Sequence, residues 1–335
     1  MSRNTHSPPI NFGLNYAESD FASYLKKSES EVFVLDLSNS TLLEVIEEMI
    51  KVKSRMSPNF LKSYSSLIHN LEILQDTFQC TLMPHQVTDL FWYNFVPFLM
   101  NKGLAVSSIS TMCSQLKSAL NWSARHKAIV SPTFDLIKLP AYHNQQIALT
   151  PDEVSHIYHF DVSTIKRRPQ HLKKLDAVRD MFVLSCNLGQ RFSDMVRLDK
   201  SHFNRNIFSI MQKKTGLQAK VDIDKFCIDR NTTYSILEKY NYNSPLTTDI
   251  SCYNHYLKEF LQYVGFDDIV VKQTQINGFI KVDKLPKWKM ISSHTARRTF
   301  VTINILRGFR TTEIRKATGH KCESSFEKYI CYFDN

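Results

Sequence analysis

The sequence predicts a mostly α-helical protein with a small β-sheet, divided into two domains. Three observations carry that prediction. The chain has 335 residues, and at roughly 150 residues per domain two units are the natural division. Apolar residues recur at i, i+3, i+4 and i+7 through most of the chain, while strand-like runs are confined to a short region around residues 207–223. Hydrophobic residues make up 43% of the chain and charged residues 22%, which supplies two cores and excludes a disordered or collagen-like chain.

The N-terminal helices follow from their caps and stripes. Thr41 with Glu44 forms a capping box ahead of Leu42, Val45, Ile46 and Met49, predicting a helix through about Arg55. Ser57-Pro58 is an N-cap with proline at N1, and Phe60, Tyr64, Leu67, Ile68, Leu71, Leu74 and Phe78 continue a longer apolar stripe. Thr88 and Asp89 open a third helix that stops near Gly103. Ser107 or Ser108 opens a fourth through Ile109, Met112, Cys113, Leu116 and Leu120. Residues 41–140 thus read as a four-helix domain behind an acidic extension over 1–40.

Residues 141–149 read as a polar linker. Thr150-Pro151-Asp152-Glu153 joins an N-cap, proline at N1 and a capping acid, so the second domain, 150–335, opens with a helix. Another helix is expected from about His171 to Leu188. Ile207–Met211 and Gln218–Ile223 then form a β-hairpin whose tip is Lys213-Lys214-Thr215-Gly216. From Asn231 onward the pattern reads as helices: Ile250–Val264, about Ser293–Arg307, a short one near Thr312, and a last one over Ser324–Tyr332. No internal repeat or low-complexity tract is present.

Charge narrows the partner. Residues 1–50 hold three Lys/Arg against eight Asp/Glu, residues 51–140 nine against four, and residues 141–335 thirty against twenty. A pI of about 9.1, spread over everything but the N-terminus, fits a polyanion that releases counterions on binding. The longest apolar-dominated run, Phe91–Met100, is far short of the ~20 residues of a membrane span. The first residues lack the apolar region of a signal peptide, so a cytoplasmic location is expected. Seven widely spaced cysteines without a C-x-x-C pair argue against disulfides and structural zinc.

No metal-ligand spacing, phosphate loop, dinucleotide fingerprint or G-x-S-x-G elbow appears, so chemistry without metal or cofactor is expected. The C-terminal region does hold a set of chemically capable residues. His294 and Arg297 lie three apart on one helical face, Gly319-His320 closes a turn, and Tyr329 follows nine residues later.

These residues, with Gly189-Gln190-Arg191-Phe192-Ser193-Asp194 and Leu198, and with Lys214-Thr215-Gly216, resemble the tyrosine recombinase (phage integrase) family over residues 41–335. The resemblance is strongest from Thr150 to Tyr329. It implies an N-terminal core-binding domain of the SAM-like kind and an α+β catalytic domain. It further implies six catalytic positions: Arg191, Lys214, His294, Arg297, His320 and the nucleophile Tyr329. Lys213 is the neighbouring candidate for the lysine, and Tyr332 and Cys331 are rival nucleophiles. Gln190 and Asp194 stand where the family more often has an aliphatic residue and Glu, and Arg298 where many members have His.

The chemistry expected of such residues is metal-free cleavage of a phosphodiester. Two guanidiniums can hold the non-bridging oxygens in bidentate geometry. A phenol with a pKa near ~10 needs nearby cations and a base, for which His294 and His320 are the candidates. A lysine can protonate the leaving 5′-oxygen. The resemblance therefore implies a site-specific DNA recombinase, or integrase, that forms a 3′-phosphotyrosine without metal or ATP. The expected partner is double-stranded DNA, bound by a homotetramer on two sites, with accessory directionality or DNA-bending proteins as further partners. Alternatives are a type IB topoisomerase-like enzyme, which usually has Lys where this chain has His294, and a non-cleaving DNA-binding protein on the same fold. Six residues follow Tyr329, fewer than in relatives whose longer C-terminal segments dock on a neighbouring protomer. The acidic N-terminus predicts weak or no arm-type DNA binding.

Overall fold

The computed structural model describes residues 35–54, 60–136, 146–276 and 279–331. The Ser57-Pro58 cap, most of the acidic extension, residues 141–145 of the expected linker, and Tyr332 lie outside the described residues. The chain divides into two compact units, residues 1–142 with 275–279 and residues 143–274 with 280–335. Among the described residues, no helix is long and apolar enough to cross a membrane.

The first unit contains α1 (Leu42–Ser54), α2 (Phe60–Phe78), α3 (Asp89–Asn101) and α4 (Val106–Ala124). The Thr41 capping box forms: the Thr41 N–H donates to Glu44 Oε2 at 2.8 Å and the Glu44 N–H to Thr41 Oγ1 at 3.3 Å. Thr88 caps α3 through the Phe91 N–H. α4 begins earlier than the serines suggest. Ala105 is its N-cap without a side-chain bond, because Val106 is drawn into the core at the first turn. α4 packs against each of the other three helices, and Leu42, Ile46, Met49, Leu67, Leu71, Leu99, Ile109, Leu116 and Leu120 are wholly excluded from solvent. Each such aliphatic side chain contributes about 1.5–3 kcal/mol of burial free energy.

The second unit is organised around α6 (Pro169–Leu188), which is buried almost continuously from Leu175 onward. That burial on all faces explains the absence of a clean amphipathic stripe. α6 packs against α5 (Pro151–His159), α9 (Arg230–Lys239), α10 (Ile250–Val264) and α12 (Ser293–Leu306). A three-stranded antiparallel sheet runs β1 (Phe203–Asn204), β2 (Ile207–Met211), β3 (Gln218–Asp222). Its register, from Ile207 opposite Asp222 to Met211 opposite Gln218, turns Phe208, Ile210, Ala219 and Val221 into the core. Short helices α7 (Phe192–Met195), α8 (Ile223–Phe226) and α11 (Lys287–Met290) complete the unit, with α13 (Thr311–Thr318) and α14 (Glu323–Glu327).

Three expectations need correction. Between α10 and α11 the chain forms a second, two-stranded sheet, β4 (Ile269–Ile276) and β5 (Phe279–Pro286), where only helices were expected. Its sequence explains it: Ile269-Val270-Val271 is β-branched, and Asn277-Gly278 between the strands is a strong hairpin dipeptide. Strand β1 was also not expected, being only two residues long. Finally, the last helix ends at Glu327, so Tyr329 lies in the turn beyond it and not on a helix. That turn is held by Phe326, which is buried, and by Cys331, whose N–H donates to Thr302 Oγ1 at 3.1 Å.

Candidate active site

The first arginine is placed by a glycine that admits no side chain. Gly189 ends α6 in the left-handed region at φ +65°, and a Cβ there would lie 2.4 Å from Phe300 of α12. This close approach aims the Gly189 carbonyl at Arg297, whose Nη1 donates to it at 3.0 Å. Two residues on, Arg191 opens α7. Its Nη1 donates to Gln212 Oε1 at 2.6 Å.

His294 and Arg297 come from the first turns of α12. The start of that helix is fixed by the Ser293 N–H, which donates to Asn254 Oδ1 at 2.8 Å. His294 sits exposed at the rim, whereas Arg297 is 0% exposed. Arg297 Nη2 donates to the Thr318 carbonyl at 2.6 Å and contacts His320 Nε2 at 3.0 Å. Gly319, at φ +61°, turns the chain so that His320 faces this guanidinium. Thr318 Oγ1 donates to the Ile314 carbonyl at 2.7 Å and lies 2.7 Å from His320 Nδ1. A hydroxyl whose proton is committed elsewhere can only accept, which assigns the ring proton to Nδ1 and leaves the Nε2 lone pair toward Arg297.

The Tyr329 ring closes the arrangement. Its centroid is 4.8 Å from that of His320, 6.4 Å from that of His294, and 5.3 Å from the Arg297 guanidinium carbon. Its hydroxyl has no hydrogen-bond partner among the described residues. Arg191, Lys213, Lys214, His294, His320 and Tyr329 line one cleft of about 580 Å³, and Arg297 lies beneath it. The structure thus brings all six expected positions together. Of the rival groups, Cys331 is buried and burial raises its thiol pKa; Lys213 shares the cleft with Lys214.

The electrostatics of the cleft are one-sided. Among the described residues, neither Arg191, Lys213, Lys214 nor Arg297 forms a salt bridge. Burial, and then the charge of Arg191, lower the pKa of Arg297 to about 9. Burial, followed by Arg297, Arg191 and Arg315, brings His320 down to about 3. Partial loss of water, then Arg298, Arg297, Arg191 and Lys214, also lower His294. Both histidines are therefore neutral at pH 7 in a field that attracts anions. No group of three or more His, Cys, Asp or Glu able to hold a metal occurs among the described residues.

Further residues support this set, and of these the roles of Gln190 and Gln212 were not legible in the sequence. Asp194, 0% exposed, accepts the Lys213 N–H at 2.8 Å and Arg197 Nη2 at 2.9 Å, tying the hairpin to α7. Gln190, noted only as an unusual residue beside Arg191, donates to the Leu188 and Ala317 carbonyls. Gln212 carried no signal beyond its place before the K-K-T-G turn.

No family model and no curated protein sequence matches the chain. Solved structures do. A lambda integrase fragment, a dimer bound to a COC′ core site, aligns at 15% identity with a TM-score of 0.62, covering 88% of this chain and 98% of that one. The Tn1549 transposon integrase in complex with a circular intermediate DNA aligns at 14% identity with a TM-score of 0.64, over 87% and 95% of the two chains. The same integrase with transposon right end DNA gives 14%, 0.62, 88% and 96%. The fold of this chain, in its helices and small sheets, is that of these integrases.

Proposed function

We propose that the protein is a site-specific DNA recombinase, an integrase that cleaves and rejoins strands through a 3′-phosphotyrosine on Tyr329, independently of metal and ATP. One observation carries this reading: Arg297 is a fully buried guanidinium that pairs with no carboxylate among the described residues, set near Arg191 and under a tyrosine ring. An uncompensated buried charge costs several kcal/mol, and an anion entering the cleft offsets that cost. A phosphate between two guanidiniums is the natural occupant.

The step then runs as follows. The scissile phosphate binds Arg191 and Arg297, and its negative charge raises His320 from its low value in the free protein. As Arg297 turns its N–H to the phosphate, the freed Nε2 lone pair of His320 takes the Tyr329 proton while Oη forms a bond to phosphorus. The bond to the 5′-oxygen breaks, and Lys214 gives that oxygen a proton. His294 at the rim supports a non-bridging oxygen. The phosphotyrosine keeps the bond energy, so a second strand's 5′-hydroxyl reverses the step and completes exchange. A tetramer on two duplex sites, as in the lambda integrase tetramer bound to a Holliday junction, accounts for pairwise exchange. The basic residues beyond Lys51 grip the duplex in the same reading.

The test is a duplex from DNA flanking the gene, nicked near the cleavage point and incubated in EDTA without ATP. A covalent adduct mapping to Tyr329 supports the proposal. Tight binding with no adduct, or an adduct on Tyr332, overturns it. Binding with 6–10 phosphate contacts weakens by about 10³–10⁵ between 50 and 200 mM salt; a flat response contradicts a duplex clamp.

A further inference from the structure

The two arginines are joined by a bridge that contains no carboxylate. Gln212 is 1% exposed. Its Oε1 accepts Arg191 Nη1 at 2.6 Å and Thr215 Oγ1 at 3.0 Å. Its Nε2 donates to the Thr318 carbonyl at 2.7 Å and to Gln190 Oε1 at 3.0 Å. The amide orientation is forced, because a guanidinium can only donate and a carbonyl can only accept. Since the Thr318 carbonyl also accepts Arg297 Nη2 at 2.6 Å, one amide and one carbonyl set the distance between the guanidiniums.

The same residue holds the hairpin tip. Its carbonyl accepts the Gly216 N–H and its N–H donates to the Leu217 carbonyl, each at 2.9 Å, so the turn carrying Lys213 and Lys214 is closed upon Gln212. On the far side it abuts the turn that presents His320: a Cβ on Gly319 would lie 2.6 Å from the Gln212 amide carbon. A carboxylate in this position would neutralise Arg191 and compete with a bound anion; an amide fixes the cation and leaves its charge available.

We propose that Gln212, backed by Gln190, is a positioning residue that holds Arg191, the lysine turn and the His320 turn in register for phosphoryl transfer. The proposal rests on the reading of the cleft given above, and its test separates the two. Wild type, Gln212→Met and Gln212→Glu are compared by DNA affinity, by single-turnover adduct formation on the nicked duplex, and by ¹⁵N-edited spectra of the Arg191 guanidinium, assigned through Arg191→Lys.

For Gln212→Met the expected result is adduct formation slowed by roughly 10- to 100-fold, the loss expected of a misplaced group. Duplex affinity stays within about threefold, since the charge is kept, and the slowly exchanging Arg191 proton is lost. Gln212→Glu is expected to weaken duplex binding as well, by pairing with Arg191. Wild-type rates and an unchanged Arg191 signal in Gln212→Met would overturn the positioning role while the adduct upheld the recombinase reading. If wild type forms no adduct, that reading fails, and the Arg191 signal still decides whether Gln212 holds the guanidinium. Should Gln212→Met lose cooperative unfolding, Thr215→Val, which removes one donor from the same amide, is expected to change rate and signal in the same direction by less. No change in either would count against the proposal.

Discussion

The two units solve the problem of an interior differently. Of the buried polar or charged residues described, Asn70, Ser123 and Ser131 lie in the first unit, while sixteen others lie in the second. The buried charges Asp180, Asp194 and Arg297 are all among the sixteen. The helical unit gains its stability from aliphatic and aromatic packing. The second unit spends part of its interior on hydrogen-bonded groups that hold charge in place. An apolar core tolerates its own repacking, whereas a buried polar network fails when one member is lost. The sensitivity of the protein is therefore expected to be of two kinds.

The sharpest break is chemical. Tyr329→Phe is expected to eliminate the covalent DNA adduct, with duplex binding unchanged because the lost hydroxyl has no described partner; any remaining adduct, located by peptide mapping, would reassign the nucleophile. Arg297→Met is next. Single-turnover cleavage is expected to fall by about 10²–10³ or more, the range seen when a transition-state donor is removed. The same variant sharpens the comparison thermally: inorganic phosphate at ten times its Kd should stabilise the wild type by about 1.4 kcal/mol and the variant by far less, read from the shift in Tm.

In the first unit, Leu116→Ala removes a wholly buried side chain and is expected to cost about 2–5 kcal/mol by denaturant unfolding without entering the cleft chemistry. If cleavage by the folded variant also dropped severalfold, the two interiors would not be independent. Acid stability probes the buried histidine of the second unit. The folded His320 pKa, about 3, lies below the value of ~6.5 of an unfolded histidine. The unfolded state therefore binds more protons between those values, and stability is lost as pH falls from 6.5 toward 3. The loss is about 2 kcal/mol between pH 6.5 and 5; His320→Gln should flatten that part of the curve. The smallest effect is expected at the exposed pair Lys127–Asp36, 3.3 Å apart, where Lys127→Gln should leave the Tm essentially unchanged.

Local physics made much of this molecule legible in its sequence. The capping boxes at Thr41 and Thr150 formed as their spacing requires, because the atoms involved are three residues apart. The apolar periods of α1 to α4 marked the core, and the antiparallel hairpin at residues 207–222 followed from alternation around a Gly-containing turn. The six candidate site residues were legible as a pattern of residue types in order. The β4 and β5 strands carry a local β-branched and Asn-Gly signal between stretches of helical period. The helix expected through Tyr329 failed for another reason: packing of Phe326 and the Cys331–Thr302 bond hold the chain in a turn there.

What tertiary structure alone decided is the electrostatic state of the cleft. A sequence names arginines and histidines, and burial sets which are charged, which are neutral and which lack a counterion. Arg297 and His294 are three residues apart, yet one is enclosed and the other sits at the rim. Gln212 joins Arg191, twenty-one residues earlier, to Thr318, more than a hundred residues later. Such contacts have no local period, because they depend on where α6, α12 and the hairpin meet, and desolvation acts only after they have met.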